Sequence, residues 1–351
     1  MPTDTTDRDL NSKLDDLDAI LRSMGRVLIG YSGGVDSAML TVAAHRVLAD
    51  DAIAVTADSE SYASGELEAA SQIMQQFGIR HEVVLTRELD NPDYAKNAPN
   101  RCYFCKQELF THMQRLAAEF NTPYILYGQN ADDVGDFRPG AQAATDYGVR
   151  APLQEAGLTK DDVRQLARRW DLDVWDRPAM ACLSSRFPYG TPVTAAGLRM
   201  VDQAEKYLKD RGFIQLRVRH HTDIARLELP PEDLVRFLAD TPLRQALVEE
   251  YKTIGYVQIL LDLRGFRSGS MNEVLLPISI DAAELPERIA SSLTAQDHAP
   301  HAFEQLEQML SLRLPAASFD RLADLTTRHQ LVDCLETLGL RYIALDLTPL
   351  D

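Results

Sequence analysis

The stretch RVLIGYSGGVDSAML occupies residues 26–40. Its apolar run Val27–Ile29 reads as a buried parallel strand, and SAMLTVAAHRVLA just beyond it reads as a helix. Between the two lies Ser-Gly-Gly. Glycines let a backbone approach an anion closely, and the amides that open a helix point at it. Ser32 and Ser37 add hydroxyl donors. A glycine turn with a serine cap is the bland alternative, but the strand before and the helix after supply the context a phosphate loop needs. It is not a Walker A loop, because no Gly-Lys-Ser/Thr follows.

Working outward, Leu10, Leu14, Leu17, Leu21 and Met24 form one stripe of an amphipathic helix that ends at Gly25. AIAVTAD and HEVVLT read as second and third strands, separated by a helix closed by Gly78. PYILYGQNADD and DVWDRP are further strand candidates, with KDDVRQLARRW as the helix between them. Strands alternating with helices argue for a parallel α/β sheet. The pattern changes near Thr191. A helix, the strands FIQLRVRHH and DIARLEL, two helices and the strand YVQILLDLRGF suggest a smaller α+β domain. The expected division is 1–190, 191–277 and a C-terminal extension, 278–351. Within the extension, ETLGLRYIALDL (336–347) echoes KTIGYVQILLDL (252–263), either by chance or as a partial copy of the second domain.

The chain has 351 residues, 45% hydrophobic and 25% charged, as in ordinary globular proteins. No apolar run approaches the roughly 18 residues that span a bilayer. The acidic N-terminus lacks the features of a signal peptide, so a cytoplasmic location is expected. A net charge of −17 disfavours nucleic acid as a partner. Four cysteines in a chain of this length are no disulfide scaffold.

Several residues are candidates for chemistry. NRCYFCK places Cys102 and Cys105 in a C-x-x-C, which fits half a zinc site, a redox pair or chance. PAMACLSSRF adds Cys182. Three thiolates would leave one iron of a cubane cluster open, and zinc with His112 is the rival. Cys334 reads as a core residue. Asp132, Asp133 and Asp136 are hard oxygen donors suited to Mg²⁺, or else a solvated acidic loop. Arg217 and Arg219 alternate along one strand face, as do Arg226 and Glu228 on the next strand. Arginine suits phosphate and carboxylate, although a solvated face is the commoner fate of such charges. Arg186 beside Cys182 would favour a thiolate.

SGGVDS is similar to the pyrophosphate loop of the ATP pyrophosphatases that include GMP and NAD synthetases. That resemblance implies a Rossmann-like sheet and a role for Ser32, Gly33, Gly34, Asp36 and Ser37 in holding pyrophosphate. It places Asp58 and Ser59 of TADSES near the adenosine. Together SGGVDS, NRCYFCK, GQNADD, DRPAMACLSSRFPYG and RVRHH resemble the LarE family, the sulfur transferases of nickel-pincer nucleotide cofactor synthesis, over about residues 10–277.

The family resemblance implies that ATP adenylates a carboxylate of pyridinium-3,5-biscarboxylic acid mononucleotide and that sulfur then replaces AMP. Ser185, Arg186, Arg217, Arg219 and Glu228 fit such an anionic substrate, Asp132 and Asp133 remain the magnesium candidates, and the resemblance suggests a ring-like homo-oligomer such as a hexamer. In some members the cysteine at the Cys182 position gives up its own sulfur. In members that also carry the C-x-x-C pair, three cysteines hold a [4Fe-4S] cluster that delivers sulfide, and this chain has Cys102, Cys105 and Cys182. A tRNA thiolase of the same fold and a nucleotide-sensing module without turnover are the competing readings.

Overall fold

A computed structural model describes residues 4–133, 139–178, 181–267, 269–271, 285–298, 301–306, 309–340 and 342–349, with side chains from Asp9 onward. The chain folds as two compact units, Met1–Cys182 and Leu183–Asp351.

The first unit is built on four parallel strands: β1 (Val27–Gly30), β2 (Ala52–Asp58), β3 (Arg80–Leu85) and β4 (Tyr124–Tyr127). Their order is β3-β2-β1-β4. The continuous apolar runs of β1 and β2 are buried on both faces, as a helix-covered parallel sheet requires. The leucine stripe lies on the helix Asp4–Met24, with Leu10, Leu17, Leu21 and Met24 packed into the core, and Gly25 leaves the helix at φ 70°. DVWDRP is not a strand. Trp175 and Arg177 close successive turns onto Leu172 and Val174 instead. Val174 alone of that stretch is fully buried, so the segment is anchored by one side chain rather than by a ladder. The strand order reverses between β1 and β4, and ligands of open α/β sheets bind outside the carboxyl ends of the strands at such a point.

The second unit carries a six-stranded sheet of order β5-β6-β7-β10-β9-β8. Its strands are β5 (Arg217–His221), β6 (Ile224–Glu228), β7 (Gln258–Asp262), β8 (Ala302–Leu306), β9 (Met309–Arg313) and β10 (Tyr342–Asp346). Strands β8–β10 come from the C-terminal extension, and one hydrophobic core spans 204–347. Among the described residues no helix is long and apolar enough to cross a membrane.

Candidate active site

The loop Tyr31–Gly34 leaves the carboxyl end of β1 and feeds the helix Val35–Leu48. Gly33 sits at φ 78°, a conformation that only glycine adopts without strain. Ser37, 5% exposed, ties the loop into a ring. Its Oγ donates to Gly34 O at 3.0 Å, accepts from Ser32 N at 3.1 Å and lies 3.1 Å from Ser32 Oγ. Gly128, just past β4, packs so tightly on the start of this helix that a Cβ there would stand 2.6 Å from Ser37 N.

Among the described residues, Lys160, Arg177 and Lys106 line the clefts at the loop. Lys160 opens the helix Lys160–Arg169, whose start is fixed by a capping box between Thr159 and Asp162. Its ammonium pairs with Asp36, which also accepts from Asn130 Nδ2 at 3.1 Å. Arg177 and Lys160 line one cleft with Ser32, Gly33 and Asp36; Lys106 and Tyr62 line an adjoining one with Ser32, Ser37 and Gly128. Tyr31 borders the second cleft, and its hydroxyl is buried without a hydrogen-bond partner among the described residues.

Asp132 and Asp133 brace the adjacent turn. Asp132 accepts from Lys160 N at 2.8 Å and Asp133 from Asn130 N at 3.2 Å. Asp136 lies outside the described residues. No group of three or more His, Cys, Asp or Glu among the described residues is placed to hold a metal ion. Asp58 and Ser59 stand at the carboxyl end of β2, beside a groove shared with Thr86, Arg87 and Asp90. Ser59 Oγ is directed at Glu88 Oε2, 3.0 Å away.

Glu88 links that groove to the thiols. It is 5% exposed and accepts from Thr86 Oγ1 at 3.2 Å and from Cys105 Sγ at 3.7 Å, both at Oε1. Cys102 and Cys105 lie one turn apart at the start of the helix Arg101–Glu119. Burial pushes the Cys105 thiol up, and Glu88, Cys182 and Cys102 push it further. Cys105 thus feels the charge of both Cys102 and Cys182, but the three thiols are not gathered into a metal-binding group. Burial raises the Tyr62 phenol, and Cys105, Glu66 and Cys182 add to the shift.

In the second unit the arginines form a buried ionic network. Arg186 holds Glu205 by two bonds of 2.8 and 2.9 Å, with both side chains almost wholly buried. Burial alone would raise the Glu205 carboxyl, but Arg186 holds it below the usual range. Arg219 directs Nε and Nη2 at Glu228 Oε2 (3.0 and 2.7 Å) and Nη1 at Ser185 O (3.1 Å). Ser270 Oγ bridges Arg219 and Glu228, and Arg226 is held by Glu228 and Asp262. Arg217 is pushed down to about 10, first by burial and then by Arg186. Its Nη1 donates to Leu216 O, and its guanidinium lies over Phe266. Of the expected substrate residues Ser185, Arg186, Arg217, Arg219 and Glu228, Arg186 is bound to Glu205 and Arg219 to Glu228 and Ser185 O, with Arg217 within electrostatic reach of them.

Sequence reading missed Glu88, Gly128, Lys106, Lys160, Arg177 and the Tyr31 hydroxyl. Only Lys160 had a local signal, the Thr-x-x-Asp capping box that fixes where its helix begins.

A parallel sheet with this glycine loop at its switch point, ringed by lysines and arginine, defines a pyrophosphate-loop ATP pyrophosphatase domain. In agreement, the asparagine synthase family model matches residues 17–122. An uncharacterised protein of Synechocystis sp. is 46% identical over 266 residues, which are 76% of this chain and 99% of that protein. The pyridinium-3,5-bisthiocarboxylic acid mononucleotide synthase of Lactiplantibacillus plantarum is 36% identical over 267 residues, 76% of this chain and 96% of that enzyme. A chain of the glutamine-hydrolysing GMP synthase of Archaeoglobus fulgidus is 28% identical over 206 residues, 53% of this chain and 65% of that one. The chain belongs to the LarE family of ATP-using sulfurtransferases, that of the L. plantarum enzyme.

Proposed function

We propose that this protein adenylates the carboxylates of pyridinium-3,5-biscarboxylic acid mononucleotide and converts them to thiocarboxylates. The observation that carries the reading is the pyrophosphate loop on the same compact unit as Cys102, Cys105 and Cys182, in a chain of this family.

The loop amides, Ser32 and Ser37 hold the β and γ phosphates, with Gly33 and Gly34 allowing the approach. Lys160, Lys106 and Arg177 offset the charge that grows on the leaving pyrophosphate. Asp36 keeps the Lys160 ammonium over the loop. Asp58 and Ser59 border the groove for the adenosine. A substrate carboxylate oxygen attacks the α-phosphorus, the bond to the β-phosphate oxygen breaks, and pyrophosphate leaves. A sulfur nucleophile then attacks the acyl carbon of the mixed anhydride, and AMP departs with the electron pair of the broken C–O bond.

Cys102, Cys105 and Cys182 are soft donors and would hold a [4Fe-4S] cluster with one open iron, although they are not gathered into a metal-binding group in this structure. When bound, such a cluster would supply sulfide. Arg217, Arg219, Arg186 and Ser185 suit the substrate phosphate, with Glu228 and Glu205 holding the guanidinium groups in place. Asp132 and Asp133 suit the Mg²⁺ that accompanies ATP, although both already brace the turn beside Lys160.

The test is incubation of anaerobically purified protein with ATP, sulfide and the dicarboxylic mononucleotide. Pyrophosphate release that depends on the mononucleotide, with a product mass showing sulfur in place of oxygen, is expected. Release that depends on tRNA instead, or none with either acceptor, would overturn the proposal.

A further inference from the structure

The second unit contains two runs of elements in the same order. The first is the helix Ala195–Lys209, β5, β6, the helices Pro231–Ala239 and Thr241–Ile254, and β7. The second is the helix Leu285–Ala295, β8, β9, the helices Ala316–Ala323 and Leu325–Glu336, and β10.

The hairpin strands repeat at an interval of 85 residues, and the details that follow them repeat at 84. Asp240 caps its helix by accepting from Leu243 N, and Asp324 does so from Thr327 N. Buried Arg244 donates to Leu238 O, and buried Arg328 to Leu322 O. Gly255 and Gly339 both leave the last helix at positive φ. Asp262 ends β7 and accepts from Arg264 N; Asp346 ends β10 and accepts from Thr348 N.

The two runs meet where β7 and β10 pair antiparallel, and the register is reciprocal. Leu261 faces its own counterpart, Leu345. Asp262 faces Ala344, while Asp346 faces Leu260, the counterpart of Ala344. Leu263 N donates to Ile343 O and Leu347 N donates to Ile259 O, each at 2.9 Å. The counterpart helices Pro231–Ala239 and Ala316–Ala323 also pack on each other. Reciprocal contact of this kind is the signature of a two-fold interface between identical units.

The copy is not a second site. In the first hairpin Arg217 faces Glu228 and Arg219 faces Arg226; in the second Ala302 faces Arg313 and Glu304 faces Ser311.

We infer that residues 285–347 are a degenerate copy of the 195–263 repeat that takes, within one chain, the place a second copy would take at β7. This chain therefore does not self-associate through that edge. A chain ending soon after β7 would present a row of unpaired N–H and C=O groups, which invites strand pairing. The two relatives above match 76% of this chain over nearly their whole length, so the remainder exceeds what they contain.

The test uses the full-length protein with Gln258→Cys and Thr348→Cys, which flank the Leu347–Ile259 hydrogen bond. Oxidation followed by peptide mapping should give a 258–348 disulfide in material of single-chain mass at every dilution. A disulfide found only in covalent dimers, or none in the native protein, overturns the inference. A second variant, Leu345→Asp, should release β10 and double the mass of the wild-type assembly. A folded Leu345→Asp protein of unchanged mass would also overturn it. Should that variant fail to fold, the disulfide result decides.

Discussion

Gly128→Ala is a one-methyl probe of the pyrophosphate loop. The added Cβ would lie 2.6 Å from Ser37 N, 2.8 Å from Ser37 Cα and 2.9 Å from Asp36 C, all backbone atoms and all inside ordinary contact distance. No side chain can rotate away, so either β4 or the start of the helix must move by a sizeable fraction of an ångström. Overpacking of this kind costs about 1–3 kcal/mol, or roughly 2–12 °C in Tm for a unit of this size. The catalytic loss should be larger, because a misplacement of about 1 Å near reacting groups can cost on the order of 100-fold in rate. Gly30→Ala is the control, since its Cβ would meet nothing closer than 3.6 Å. ATP–pyrophosphate exchange and thermal unfolding are measured on both. Exchange by Gly128→Ala within twofold of wild type, at unchanged Tm, would refute the tight seating of the loop.

Asp36→Ala removes the acceptor for Lys160 and Asn130, and exchange should fall by at least tenfold while the fold persists; retained exchange would argue against that role. Glu88→Gln removes a negative charge that raises the Cys105 thiol, so alkylation of Cys105 at pH 8 should quicken relative to Cys102, as read by peptide mass spectrometry. Arg186→Ala leaves Glu205 charged and buried, which should destabilise the second unit by about 3–5 kcal/mol, seen as an early unfolding transition. Burial lowers His81 and pushes His221 down to about 3. Below the unfolded value of about 6.5 the unfolded chain then binds protons that the native chain refuses. Denaturation at graded pH should therefore show stability falling as pH drops below that value, and substituting His221 by an uncharged residue should flatten the slope.

The pyrophosphate loop was legible because a strand, a glycine turn and a helix are one local unit. The residues that complete it were not, because their roles arise only from tertiary contact. Lys160 meets Asp36 across most of the first unit's length, and the capping box in LTKDD announces where its helix begins but not that contact. Gly128 looks like any strand-end glycine until its distance to Ser37 is known. The arginines on β5 and β6 were legible as a face, but the commitment of Arg219 and Arg226 to Glu228 and Asp262 was not, since sequence spacing cannot distinguish a solvated face from a buried network. DVWDRP misled because a short run with two apolar residues fits a strand as well as it fits a turn held by one buried valine. The tail showed six matching letters out of twelve in the sequence, and its symmetry emerged only from the register across β7 and β10.

That register has a consequence for how the molecule can change. When two identical chains meet across an axis, any substitution appears on both sides at once, and a gain on one side brings its mirror image on the other. Here the two sides are encoded separately. Leu260 faces Asp346 while Ala344 faces Asp262, so the seam already holds residues that need to suit only one position. The hairpin bearing Arg217 and Arg219 and the hairpin bearing Ala302 and Glu304 have diverged without disturbing the hydrogen bonds between β7 and β10. Variation in residues 285–347 can thus tune the seam while the arginine-bearing half keeps its sequence.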